Sequence, residues 1–208
     1  ALADNEFAYS PKFAEQLGID ATQLVYFDPE EIDTAPKCFK KMETFIKDVR
    51  KVDKDTPIII ALDSMGTLQS DAEYGQEMEG GSNMDGAIRA KELGRLMRKF
   101  NPLLRKNKVC CVFINQYRAK PNVMYGDPRT RAGGGKSLEF YCAVSLEVVS
   151  NKTSDIVLED KVPVAFKGKI RCKKNKTTIP YQECEFYFDY SSGLEIFYGL
   201  ATQLVKDK

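Results

Sequence analysis

Two stretches carry residues whose types and spacing could do chemistry. The first is PIIIALDS (57–64), an apolar run that ends in Asp63 and Ser64. A carboxylate at the tip of a buried strand, followed by a hydroxyl, has the form of a Walker B strand, in which the acid holds Mg²⁺ through water against nucleotide phosphates. An acid in that place can equally cap the helix that follows. The second stretch is YRAKPNVMYGDPRTRAGGGK (117–136), rich in Gly and Arg. Glycine lets a phosphate approach main-chain N–H groups, while Arg and Lys neutralise its charge, so this segment suits a nucleic-acid backbone. Val123, Met124 and Tyr125 add apolar groups that could sit against bases. A solvated lid is the plainer alternative. GGGKS (133–137) is not a phosphate loop: GxxxxGK[ST] needs Gly five positions before Gly135, where Thr130 stands, and no other GK[ST] occurs in the chain.

What the sequence lacks narrows the chemistry further. There is no His among the 208 residues, which removes Ser-His-Asp triads, Cys-His nucleophiles and imidazole-ligated metals. Six Cys show no CxxC spacing, and Cys110 and Cys111 fall within an apolar run, so buried reduced thiols of an intracellular protein are expected. No run approaches the length of a membrane span, and ALADNEFAYS lacks the regions of a signal peptide; a soluble, unexported protein with no membrane partner is expected.

The elements that must position these residues follow from periodicity. PKFAEQLG (11–18) opens with Pro and closes with Gly, the punctuation of a short helix, and FKKMETFIKDVRKV (39–52) has apolar residues at helical spacing. PIIIALDS and VCCVFINQ (109–116) read as buried parallel strands. Between them, residues 86–107 read as a helix with Leu93, Leu96, Met97, Phe100 and Leu104 on one side and Lys91, Arg95 and Arg98 on the other. This strand, helix, strand order predicts an α/β fold with a mostly parallel central sheet flanked by helices. After Tyr141, short alternating stretches separated by NKTS, TTIP and SSG predict antiparallel strands extending the sheet toward the C-terminal end. The length suits one domain.

A near-neutral net charge of +1 conceals segregation. Gly86–Lys136 holds 13 Lys and Arg against two acids, whereas Asp71–Asp85 holds five acids and no base. A second basic run, Lys167, Lys169, Arg171, Lys173, Lys174 and Lys176, contains no acid. Such one-signed runs point to a polyanionic partner or to a solvated face.

At this point several segments carry a family resemblance. PIIIALDSMGTL, LMRKF, VFINQYRAKPNVMYGDPRTRAGGGKSLEFY, KKNKTTIPYQECEF and the closing FYG resemble, in the same order and with similar spacing, the core of the bacterial RecA recombinase family. The match runs from about Asp4 to Gly199. It implies a single RecA-type ATPase core over 1–208 that uses ATP and Mg²⁺, self-assembles into a helical filament on single-stranded DNA and pairs it with homologous duplex DNA. Its setting would be cytoplasmic, in recombination, repair and the SOS response. Within DNEFAYSPKF, Glu6 takes the place of the glutamate that activates the water attacking the γ-phosphate. Phe13 takes the place of the adenine-stacking aromatic, and Ser10 stands where the family tends to have an acid near the adenine. Asp63 and Ser64 match the Walker B pair, and Gln116 matches the glutamine that senses the γ-phosphate. Lys174 and Lys176 match two lysines that reach the phosphates of the adjacent subunit.

DNA-facing loops are implied at about 71–87 and 117–136. The positions assigned to DNA phosphates are Lys91, Arg95, Arg98, Arg118, Lys120, Gly134, Gly135 and Lys136. The family's Walker A loop would lie before Ala1 and its carboxy-terminal domain after Lys208. Two other functions fit the same residues: a catalytically inactive single-stranded-DNA-binding module, and a fragment of another RecA-fold motor.

Overall fold

The computed structural model describes residues 1–75, 85–119, 129–131, 135–149, 155–195 and 197–198. It divides into two compact units, one of Ala1–Tyr9 with Gln23–Tyr141 and one of Ser10–Thr22 with Cys142–Lys208.

The first unit is built on four parallel strands: β1 (Leu2–Asp4), β2 (Tyr26–Phe27), β3 (Ile58–Asp63) and β4 (Val109–Phe113), in spatial order β2-β1-β3-β4. Ala3 lies opposite Leu62, and Ile60 opposite Cys111. Alternation along β3 sends Ile58, Ile60 and Leu62 to one face, where all three are buried. Helices α2 (Ala35–Val52) and α4 (Asp85–Lys106) supply the rest of that core. Cys38, Phe39, Met42 and Ile46 come from α2, and Leu93, Met97 and Phe100 from α4, at the helical spacing read from the sequence. Phe39 meets Phe100 edge-on at 5.1 Å and stacks toward Phe113 at 6.4 Å, so strand and both helices share one aromatic contact. Burying each such side chain contributes about 1.5–3 kcal/mol. Arg50 then ties the helix ends together: its guanidinium donates to the Asn107 carbonyl at 2.7 Å and to the Thr56 carbonyl at 2.7 Å.

The opposite face differs from the expectation of strands buried on both sides. Ile59, paired with Cys110, is 61% exposed, and Val112 and Ile114 are also exposed. The two cysteines expected in the core follow the same alternation: Cys110 is exposed and Cys111 half-buried, while Cys38 on α2 is the buried one. Two short helices, α3 (Asp71–Tyr74) and α5 (Gly135–Tyr141), complete this unit with a small hairpin of β5 (Tyr117–Ala119) and β6 (Arg129–Arg131). A capping box starts α3: the Ser70 hydroxyl accepts from the Glu73 N–H while the Glu73 carboxylate accepts from the Ser70 N–H.

The second unit is an antiparallel sheet in the order β11-β10-β9-β7, with β8 also on β9. Its strands are β7 (Val144–Val149), β8 (Ile156–Glu159), β9 (Val162–Asn175), β10 (Glu183–Asp189) and β11 (Gly193–Leu194). The predicted antiparallel segments are therefore present, assembled as a sheet of their own. The helix α1 (Pro11–Gln16) belongs here; the Ser10 hydroxyl accepts from the Phe13 N–H at its start. Gly18 follows at φ 84, a left-handed turn suited to glycine. Gly168 in β9 lies under the Phe186 ring of β10, so close that a Cβ would stand 2.5 Å from a ring carbon.

Candidate functional site

The carboxyl ends of parallel strands gather residues that are far apart in the chain, the place where open α/β sheets put their ligands. Asp4 ends β1, Asp63 ends β3, and the segment leaving β4 carries Ile114, Asn115 and Gln116. Backbone bonds lock these ends in register: the Asn5 N–H donates to the Asp63 carbonyl at 2.8 Å, and the Met65 N–H to the Ile114 carbonyl at 2.9 Å.

Glu6 is the hub. Its Oε1 accepts the Ser64 hydroxyl at 2.5 Å and the Gln116 amide at 3.0 Å. Asn5 braces the same corner, its amide donating to the Ser64 carbonyl at 3.2 Å and to the Thr67 hydroxyl at 2.7 Å. Ser64 is fully buried, so its hydroxyl has a fixed direction. Beside it, burial raises the Asp63 carboxyl above the usual carboxylate range, and the negative charges of Glu6 and Asp4 raise it further. A nearby cation would relieve the repulsion that Glu6 and Asp4 exert on Asp63. Among the described residues, no group of three or more Asp, Glu, Cys or His is arranged to hold a metal ion directly. Asp63 could contribute a single carboxylate, acting through water.

Chemically, a carboxylate held through one oxygen by two side-chain donors is oriented, and its other oxygen is suited to take a proton from water. Glu6, Asp63, Ser64 and Gln116 are thus brought together in one unit. Ser10, Phe13, Lys174 and Lys176 belong to the other. There Ser10 caps α1, Phe13 is 42% exposed on that helix, Lys174 is half-buried opposite Ser145, and the exposed Lys176 is anchored through its N–H to the Ala143 carbonyl at 3.0 Å.

Among the DNA assignments, Lys91, Arg95 and Arg98 are exposed on α4, and Arg95 has Glu92 within 3.7 Å. Arg118 is exposed on β5. The backbones of Gly135 and Lys136 open α5, which approaches α4 closely at Gly94, where a Cβ would come within 2.9 Å of the Ser137 hydroxyl. Lys120 and Gly134 lie outside the described residues, as do residues 76–84 of the first implied loop.

The second basic run behaves differently from its sequence. Lys169 pairs with Glu183 at 3.1 Å, Arg171 bridges to Glu183 and to Glu147, and Lys173 approaches Glu147 at 3.7 Å. Arg171, then Lys169, holds the Glu183 carboxyl below its ordinary range. The acids come from β7 and β10, in register on either side of β9, so the middle of the stripe, Lys169, Arg171 and Lys173, meets counter-charges within its own sheet.

Sequence reasoning missed Asp4. Both of its oxygens take backbone N–H groups of the turn that presents Glu6. The only signal was an acid two residues before that glutamate.

A family model, the RecA N-terminal domain, matches residues 1–195. Protein RecA of Chlorobaculum tepidum is 34% identical over 196 residues, covering 94% of this chain and 52% of that protein. Protein RecA of Chlorobium limicola is 32% identical over 194 residues, covering 93% of this chain and 51% of that protein. The chain spans about half the length of these relatives. Among solved structures, the RadB recombinase matches with a TM-score of 0.56 at 16% identity, over 93% of this chain and 76% of that one, a likeness of fold.

Proposed function

The chain belongs to the RecA N-terminal domain family, and from that premise we propose that it is the core of an ATP-dependent DNA recombinase, which coats single-stranded DNA as a filament and pairs it with homologous duplex DNA. One observation carries the reading: Glu6 is held by Ser64 and Gln116 at the carboxyl ends of three parallel strands, beside the raised carboxyl of Asp63.

Bound Mg²⁺ would supply charge neutralisation at the nucleotide phosphates. The chain's own residues do the rest. Asp63 would help to hold that metal, acting through water, and Glu6 orients the attacking water and accepts its proton. Gln116, whose amide already reaches Glu6, links that carboxylate to the segment leading into the 117–136 loop. Phe13 and Ser10 face the adenine, and Lys174 and Lys176 stabilise phosphate charge on a neighbouring subunit. Lys91, Arg95, Arg98, Arg118, Lys120 and Lys136 meet DNA phosphates, with Gly134 and Gly135 letting the backbone approach.

The test is Glu6→Gln in the full-length gene product. Single-stranded-DNA-dependent ATP hydrolysis should fall by about 10²- to 10⁴-fold while ATP binding persists. Unchanged hydrolysis would remove Glu6 from its assigned role. DNA affinity indifferent to ATP would favour a binding module without catalysis.

A further inference from the structure

Asp4 is a buried charge that the reading above does not use. It is 2% exposed at the end of β1. Its Oδ1 accepts the Glu6 N–H at 3.0 Å, and its Oδ2 accepts the Tyr9 N–H at 2.8 Å and the Tyr26 hydroxyl at 3.4 Å. Tyr9 and Tyr26, the two residues that donate to Oδ2, also stack on each other at 5.0 Å. The carboxylate therefore gathers donors from two and five residues downstream and folds Asn5–Tyr9 into a turn around itself.

That turn needs holding. Phe7, next to Glu6, has φ 58 and is 73% exposed. A bulky residue rarely adopts the left-handed region, and no burial of its ring compensates here. Charge-assisted bonds on both sides of Phe7 supply the missing restraint. An amide could not do so equally, because its NH₂ would face a backbone N–H.

We propose that Asp4 is a positioning residue, whose carboxylate clamps the Asn5–Tyr9 turn so that the Glu6 side chain meets Ser64 and Gln116. The proposal rests on the assignment of Glu6 above and deepens it. Asp4 touches no reacting atom; it fixes the backbone from which the water-activating carboxylate projects, where a displacement of about 1 Å can cost about 100-fold in rate.

The experiment compares Asp4→Asn, Glu6→Gln and the double variant in the full-length gene product, reading hydrolysis kinetics and amide hydrogen exchange. For Asp4→Asn, kcat should fall about 10- to 100-fold with KM for ATP within about twofold. The Glu6 and Tyr9 amides should exchange faster while Ile60 and Leu62 in β3 keep their protection. Combined with Glu6→Gln, Asp4→Asn should cause no further loss, because it acts through Glu6. Unchanged kcat, or a full additional loss in the double variant, overturns the proposal. So does unaltered exchange at Glu6 and Tyr9. If Asp4→Asn does not fold, Tyr26→Phe decides: it keeps the stacked ring, removes one donor and should lower kcat alone, and an unchanged kcat overturns the clamp. Should Glu6→Gln itself leave hydrolysis intact, the Glu6 assignment falls, and exchange at Glu6 and Tyr9 still judges the clamp.

Discussion

Asp63 illustrates how a site can oppose the stability of the fold around it. Its carboxyl is raised above the ordinary 3.8 by burial and by the charges of Glu6 and Asp4. A folded-state value above the unfolded one means that the contribution to stability is present below the unfolded value and is lost as pH rises through the folded one. At neutral pH, without cation, the ionised group therefore works against folding. Asp63→Asn should melt higher than the parent at pH 7 in the absence of Mg²⁺, with the difference closing below about pH 4, where both forms are neutral. Thermal melts across that range check it; a lower melting temperature for Asp63→Asn at pH 7 would contradict the crowding. The sequence marked Asp63 through its place at a strand tip and Glu6 only through family resemblance. Asp4 was invisible, because its role depends on backbone donors in a turn whose shape no periodicity encodes. Cys110 and Cys111 were misread for a related reason: membership in an apolar run does not say which strand face is covered, and Cys110 falls on the open one.

Among elements, the long and periodic ones were legible. α2 and α4 bury the residues their 3.6-residue spacing selects, and β3 and β4 declared themselves by β-branched runs. The three-residue β1 and two-residue β2 exist only through parallel pairing with a distant strand, so local sequence carried almost no sign of them. β9 shows the converse failure: three cations of a one-signed run, Lys169, Arg171 and Lys173, find counter-charges across the ladder, on Glu147 and Glu183. The same strand depends on one absent side chain. At Gly168 a Cβ would press within 2.5 Å of the Phe186 ring, itself in contact with Phe166 at 5.5 Å. Gly168→Ala should destabilise the antiparallel unit by about 1–3 kcal/mol through displacement of that ring. Denaturant titration followed by tyrosine fluorescence would read the shift in midpoint, and no shift would mean that the ring moves aside freely.

For the whole molecule, charge distribution is the most informative property that the sequence carried, once β9 is set aside. The exposed cations of α4 remain, and each phosphate contact to single-stranded nucleic acid adds about 0.7 to the slope of log affinity against log salt. Replacing Lys91, Arg95 and Arg98 together by Ala should lower affinity for a single-stranded oligonucleotide and reduce that slope by about 2. Fluorescence anisotropy at several salt concentrations measures both, and an unchanged slope would move the DNA elsewhere. Sheet order has a consequence of another kind. β4 closes the row β2-β1-β3-β4, and among the described residues no fifth strand pairs with its outer side. The outer side of β4, beside the exposed Val112 and Ile114, is in the position of an edge that a strand from another molecule could extend. Preparations of these 208 residues should accordingly self-associate as concentration rises, which sedimentation velocity would detect as a growing weight-average mass. That growth would set the working range of any assay, so dilute stocks and early light-scattering checks belong at its start.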